Sequence, residues 1–280
     1  MSVDTRPVTD PAAVASRAQV CAATVLTGPG PATTALGVLP DRELAARLEG
    51  AGVALALVAS LAEVAGLVLP WAPTPCAALV ALAPDGMAVV ETAGLRIQPV
   101  EAGAFEDIGG ATLSVLASAS VTSWTLDPDR AFAARAGARL WCGAVLVGIA
   151  QASIDDAIDY GRQRIVFGLP VLGHQANAFE IAGAATRIEA ARQALEAATE
   201  HDDDNRFGWS ATQAYLQAGE AALAATDLGV QLHGGHGYLQ GRPTERYFRE
   251  ARMLTLLWGG ADTALDDLAD RVLDAPEWTW

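Results

Sequence analysis

Lysine is absent: all 18 basic side chains are arginine. That excludes a Schiff-base mechanism and a P-loop lysine. A phosphate or carboxylate must then be held by arginine, backbone N–H groups or helix N-termini. Exclusive arginine usage also fits a GC-rich genome. Positive charge is scarce overall, with a formal net charge of −15. No basic stripe exists to displace the counterions of a nucleic acid, and electrostatic docking on anionic lipid is disfavoured. Cysteine is nearly absent too. Cys21, Cys76 and Cys142 are odd in number, far apart and unlike any zinc spacing, so a reduced, cytoplasmic protein is expected. The first ten residues show no basic segment leading into an apolar run, so no signal peptide is expected.

What is present is a large apolar fraction, 51% of residues, enough for a globular core. Residues 1–75 read as helical. The stretch 41–50 alternates apolar and charged residues at helical spacing behind Asp41, a plausible N-cap. The apolar run 51–71 reads as a buried helix, since Glu63 in its middle argues against a membrane span. Residues 76–130 carry short apolar or alternating runs separated by Gly and Asp, the pattern of a small β region. Residues 131–280 return to helical patterns over 135–162, 177–198, 211–233 and 252–272, which suggests a four-helix bundle. The class expected is mainly α with a minor β part (α+β).

Three motifs stand out in the last region. Arg164-Ile-Val-Phe167-Gly168-Leu-Pro170, followed by His174-Gln175, places an arginine at a helix end before a Gly-Pro break. An arginine fork can grip a pyrophosphate through two parallel bonds; a helix stop with a favourable cation is the plainer reading. Gln231-Leu-His-Gly234-Gly235-His-Gly237-Tyr238 lets backbone approach a ligand closely. His233 and His236 lack the further ligands of a metal site, so none is expected. Pro243-Thr-Glu245-Arg246 through Arg252 reads alone as an exposed helix of alternating charge.

Taken in order, these motifs resemble the C-terminal domain of acyl-CoA dehydrogenases. The resemblance is good over 131–280, loose in the β region and poor before it. It implies a helical region, a β region and a four-helix bundle, the first two shortened here, with FAD between β region and bundle. By that resemblance Arg164 contacts the FAD pyrophosphate across a subunit interface, with Phe167 beside it and Gln175 at the adenine end. Gln231, Gly234 and Gly235 match the positions that bind the diphosphate part. Val166 stands where the family usually has Gln or Thr.

The family's base is a glutamate that abstracts the α-proton of an acyl-CoA before hydride passes to the flavin. Gly259 occupies its place, and Ala261 replaces the threonine that touches FAD. The alternative base position, in an E-R pair, reads Ala138-Arg139, with Arg139 surviving as a substrate-side residue. Neither glycine nor alanine can take a proton. Asp262 is the nearest substitute; Asp266 and Asp267 are expected to face solvent, as are Asp155, Asp156 and Asp159. The segment 69–76 does not match the family's flavin-cradling segment. The pattern resembles the glutamate-lacking subunit of actinobacterial α2β2 acyl-CoA dehydrogenases that act on steroid side chains. The resemblance therefore implies an auxiliary subunit that supplies FAD contacts to a full-length catalytic partner. An acyl-CoA substrate and an electron-transfer flavoprotein as acceptor are implied with it, and no nucleic acid or membrane partner. A self-sufficient flavoenzyme using Asp262 and a cofactor-free structural or regulatory protein remain the alternatives.

Overall fold

Within the apolar run 51–71, expected as a buried helix, the described residues form strands and a 3-10 turn instead. The computed structural model describes residues 40, 43, 44, 48, 53–58, 60–65, 67–72, 76–99, 111–239 and 241–274. The expected Asp41 cap lies outside them, though Leu44 and Leu48 are helical and buried. Strand β1 (Val53–Leu57) is followed by a 3-10 turn at Leu61–Val64, started by Ser60, and then by β2 (Val68–Ala72). The strand β3 (Ala78–Ala83) explains the difference. It pairs with β1 in parallel, Val53 opposite Ala78 through Leu57 opposite Leu82. A strand buried on both faces is apolar at every position, and over five residues its pattern cannot be told from that of a helix. The β region therefore begins by residue 53, and the boundary expected at 75 falls inside it.

Two sheets result. Strands β4 (Gly86–Glu91) and β7 (Thr122–Thr125) complete the first, in the order β1-β3-β4-β7. Strands β5 (Leu95–Pro99) and β6 (Ala111–Val115) join β2 in the second, ordered β2-β6-β5. Alternate side chains of β3 and β4 divide between two cores. Val80, Leu82, Met87 and Val89 pack on Ala131, Ala134 and Ala138 of the first long helix. Leu79, Ala81, Ala88 and Val90 pack on Leu113 and Val115 of the second sheet. The first sheet is thus a filling between the second sheet and the helical part.

Among the described residues after the β region, five α-helices follow: α1 (Pro128–Gln163), α2 (Gln175–Ala198), α3 (Asp204–His233), α4 (Pro243–Leu254) and α5 (Gly260–Asp274). Asp127 caps α1, accepting from the N–H groups of Asp129 and Arg130 at 3.0 and 3.3 Å, with Pro128 in the first position. Helix α1 is long and apolar enough to span a membrane, but 89% of that window is buried within the protein, because its first half lies on the β-sheet and its second in the bundle. Small residues let α1 and α3 approach closely: a Cβ at Gly143 would sit 3.4 Å from Tyr215 Cα. The fourth helix expected over 252–272 is two helices. Gly259 and Gly260 hold φ values of 80° and 64°, and a Cβ on Gly260 would lie 2.7 Å from the Thr255 carbonyl oxygen. Only glycine takes such a backbone at little cost, so α4 stops and α5 restarts. Helix α4 is not an exposed charged rod either. Tyr247, Ala251 and Leu254 bury one face against α1 and α3, while Glu245 and Arg249 pair at 2.7 Å on another.

Candidate functional site

One end of the bundle gathers the residues of the first two motifs. Helix α1 finishes at Gln163, and Arg164 caps it, its N–H bonded to the Tyr160 carbonyl at 2.9 Å. The chain then makes a two-residue hairpin, β8 (Ile165–Val166) and β9 (Leu169–Pro170), with Phe167 and Gly168 at its tip. Val166, Val171, Ala157, Ile181, Leu228 and Leu232 form a small apolar cluster that fixes this hairpin to the ends of α1 and α3 and the start of α2. His174 Nε2 meets the Val166 carbonyl at 3.0 Å, and Asn177 Nδ2 donates to the Val171 carbonyl at 2.8 Å. Gln175 opens α2 and is exposed. Gln231 sits exposed in the last turn of α3, and its carbonyl accepts from Gly234 N–H.

The backbone geometry of the turn suits close approach. Gly234 has φ 58°, and a Cβ on Gly234 or Gly235 would meet no heavy atom within 4 Å. The space above these glycines is open rather than filled by protein. An exposed guanidinium, two exposed side-chain amides and an open glycine turn are the donor set of a diphosphate site. They fit the adenosine diphosphate end of FAD. Around them lies apolar surface. Phe167 is 94% exposed at φ 53°, and Ile165, Leu169, Phe179, Tyr238 and Leu239 are exposed with it. A bulky residue held at positive φ is strained by roughly 1–2 kcal/mol.

The two base positions look different. Ala138 is buried in the core between α1 and the first sheet. Gly259 is at φ 80°, and an added Cβ would lie 2.7 Å from Thr263 Oγ1, nearer still to its Cγ2. No acidic side chain fits there without moving Thr263. Asp262 lies exposed in the first turn of α5. Arg139, expected on the substrate side, is only 1% exposed and is engaged by protein.

Its partner is Asp267, which is not solvated as expected. Arg135 grips Asp267 through two bonds of 3.0 Å, from Nε to Oδ2 and from Nη2 to Oδ1. Arg139 Nη1 lies 2.6 Å from Asp267 Oδ2, off the hydrogen-bond axis, and its Nη2 has no hydrogen-bond partner. Arg135 Nη1 also donates to the carbonyls of Val58 and Leu82 at 3.0 and 3.2 Å, at the ends of β1 and β3. The triad therefore ties the sheet, α1 and α5 together. Burial lowers the Arg139 pKa, with Asp267 opposing and Arg135 reinforcing. Asp156 is likewise not on a solvated face: it meets His233 Nε2 at 3.3 Å and accepts from Thr244 Oγ1 at 2.8 Å. Sequence pattern gives no signal for either, because the cation or hydroxyl that each faces comes from a distant part of the chain.

Comparison with known proteins agrees with this architecture. A "Probable acyl-CoA dehydrogenase YngJ" of Bacillus subtilis is 38% identical over 121 residues, 43% of this chain and 32% of that protein. The match thus spans about a third of that relative's length. Two solved structures share the fold at a TM-score of 0.70. One, a steroid acyl-CoA dehydrogenase variant of Tcur3481-Tcur3483, is 23% identical and covers 93% of this chain and 81% of its own. The other, the ChsE4-ChsE5 complex of Mycobacterium tuberculosis, is 19% identical and covers 94% and 82%. Residues 131–273, just over half of the sequence and the whole of the bundle from α1 to α5, match the acyl-CoA dehydrogenase C-terminal domain, and the chain belongs to the acyl-CoA dehydrogenase family.

Proposed function

We propose that this chain is a non-catalytic subunit of a heteromeric, FAD-dependent acyl-CoA dehydrogenase, giving cofactor contacts to a full-length catalytic partner. The observation that carries the reading is a contrast between two regions. Both base positions are closed to an acid, Ala138 by core packing and Gly259 by its backbone and Thr263. Arg164, Gln175, Gln231, Gly234 and Gly235 meanwhile stand exposed at one end of the bundle, rimmed by unburied aromatic and aliphatic side chains. An exposed apolar rim beside polar donors suits a subunit interface. Two structures that share the fold, the steroid acyl-CoA dehydrogenase Tcur3481-Tcur3483 and the ChsE4-ChsE5 complex, each carry a double name, which supports a partner. Bound FAD would accept hydride from an acyl-CoA, a steroid side-chain thioester being the substrate class we favour. Arg164 would pair with the pyrophosphate, Gln231 and the glycine turn would approach it with amide donors, and Gln175 would face the adenine end. Phe167 would bury its ring against the partner. We place the complex in the cytoplasm, as an α2β2 assembly that passes electrons to an electron-transfer flavoprotein.

The test is co-expression with a full-length acyl-CoA dehydrogenase from the same gene neighbourhood, followed by size-exclusion chromatography read at protein and flavin wavelengths. A yellow mixed complex with dehydrogenase activity is expected, from a chain colourless and inert alone. Arg164→Ala should lower flavin occupancy in that complex and leave the chain's fold intact. A yellow, active homo-oligomer of this chain alone overturns the reading and makes Asp262 the residue to mutate.

A further inference from the structure

The glycine turn is held from beneath by a buried cluster that no motif announces. His233, the last residue of α3, is 3% exposed. Its Nδ1 lies 2.8 Å from the Gly229 carbonyl and its Nε2 3.3 Å from Asp156 Oδ2. Each ring nitrogen thus faces an acceptor oxygen. Thr244, at the start of α4, donates to the same Asp156 oxygen at 2.8 Å. Tyr160 stacks on the His233 ring with centroids 4.3 Å apart, and its hydroxyl meets His236 Nδ1 at 3.0 Å. Asp156 and Tyr160 are one turn apart on α1, so one stretch of α1 holds both sides of the Gly234–Tyr238 turn. Close contact of α1 and α3 makes this possible: Gly229 leaves room for Ser153, which any side chain there would displace.

We propose that Asp156 and His233 are positioning residues that fix the Gly234–Gly235 turn, relative to Arg164, for the diphosphate of a nucleotide ligand. The inference rests on the cofactor reading above and adds its supporting layer. Tyr160 makes the register explicit. Its carbonyl accepts from Arg164 N–H, and its hydroxyl reaches His236 on the other side. Arg164 and the glycine turn are thereby referenced to one residue, as a two-sided grip on a diphosphate requires. The turn also folds back on α3: a Cβ on Gly237 would lie 2.7 Å from the Val230 carbonyl oxygen and 3.2 Å from His233 Cβ. The turn therefore packs directly on the last turn of α3, at the base of the His233 side chain. The charged or titratable groups facing the pair are Tyr160 from α1 and Arg242 just before α4, with His236 reached through Tyr160.

The test uses the full chain, with Asp156→Asn, which keeps the shape and removes the charge, and Thr244→Val, which removes one donor. Three quantities are read: amide hydrogen exchange over 234–238, the ring 15N and 1H signals of His233, and affinity for ADP. In Asp156→Asn, exchange of these amides should rise at least about tenfold while α2 core amides stay unchanged. The His233 ring signals should shift, and ADP affinity should fall about tenfold. Thr244→Val should move all three in the same direction by less. Unchanged exchange and ring signals in Asp156→Asn overturn the proposal. A wild type that binds no ADP, alone or with its partner, sinks the cofactor reading instead, and exchange and ring signals still decide whether Asp156 holds the turn.

Discussion

Replacing Asp267 with alanine tests how far α5 depends on one buried carboxylate. Asp267 is 11% exposed, between Arg135 at 4% and Arg139 at 1%. Removing one partner of a buried ion pair leaves a desolvated charge and costs about 3–5 kcal/mol. The loss is uneven. Arg135 keeps two carbonyl acceptors, Val58 and Leu82, whereas Arg139 loses its one counterion among the described residues, within which its Nη2 already has no hydrogen-bond partner. The lower end, roughly 3 kcal/mol, is therefore expected for Asp267→Ala. In a chain of this size that corresponds to a fall in Tm of about 6–12 °C. Asp267→Asn keeps an acceptor and should cost about 1–2 kcal/mol. The decisive variant is Arg139→Met with Asp267→Ala. Exchanging a whole buried pair for apolar groups is near neutral, so the double variant should be more stable than Asp267→Ala alone, with a coupling of about 2 kcal/mol. Urea denaturation of the four proteins measures this. Additive losses, or an Asp267→Ala loss under about 0.5 kcal/mol, would refute the reasoning.

Phe167→Gly should leave the isolated chain's stability unchanged or raise it by up to about 1 kcal/mol, because relief of the positive-φ strain offsets the entropy of glycine. The same change should weaken association with the catalytic partner at least about tenfold, measured by titration calorimetry. Gly259→Glu should destabilise the fold by roughly 2 kcal/mol in thermal shift and confer no dehydrogenase activity. Burial pushes the Cys142 thiol up to about 12, so neither it nor buried Cys76 should react with a thiol reagent at pH 8 until the chain is unfolded. Burial raises the Asp156 carboxyl, but hydrogen bonds from His233 and Thr244 and the charges of His233 and Arg242 outweigh it and hold it below the usual range. A depressed carboxyl contributes stability above its unfolded value and loses it as pH falls through the folded one. The stability gap between wild type and Asp156→Asn should therefore be full above about pH 4 and close below it.

Helix periodicity found α1, α2 and α3 because each is long and its small residues recur on the buried side. The same reasoning fails at 51–71, where β1, buried over most of its length, has no polar side to alternate. It fails again near 259, where two left-handed glycines end a helix whose apolar pattern continues past them. Arg164, Gln231 and Gly234, which the structure leaves exposed at one end of the bundle, are legible as motif residues because each lies in a short run of distinctive neighbours. Their supports were not. Asp156 and Asp267 sit among exposed carboxylates of the same helices, and only the tertiary contact of α1 with α3 or α5 separates a bound one from a solvated one.

That difference bears on what a carboxylate at position 259 would meet. Arg139 is buried, and a buried guanidinium needs a counterion whatever the protein does. With Gly259 and Ala138 unable to supply one, Asp267 does so from two turns further along α5. Because Arg135 binds the same carboxylate in a bidentate grip and reaches β1 and β3, the pairing also fastens α5 to the sheet. Returning a glutamate to position 259 therefore has to overcome two things together, a backbone that favours glycine and an arginine already neutralised. Gly259→Glu combined with Asp267→Asn should behave better than either alone if the new carboxylate can reach Arg139. Recovery of unfolding stability to within about 1 kcal/mol of wild type would show that the two acids compete for one cation, and a simple sum of the two losses would show that they do not.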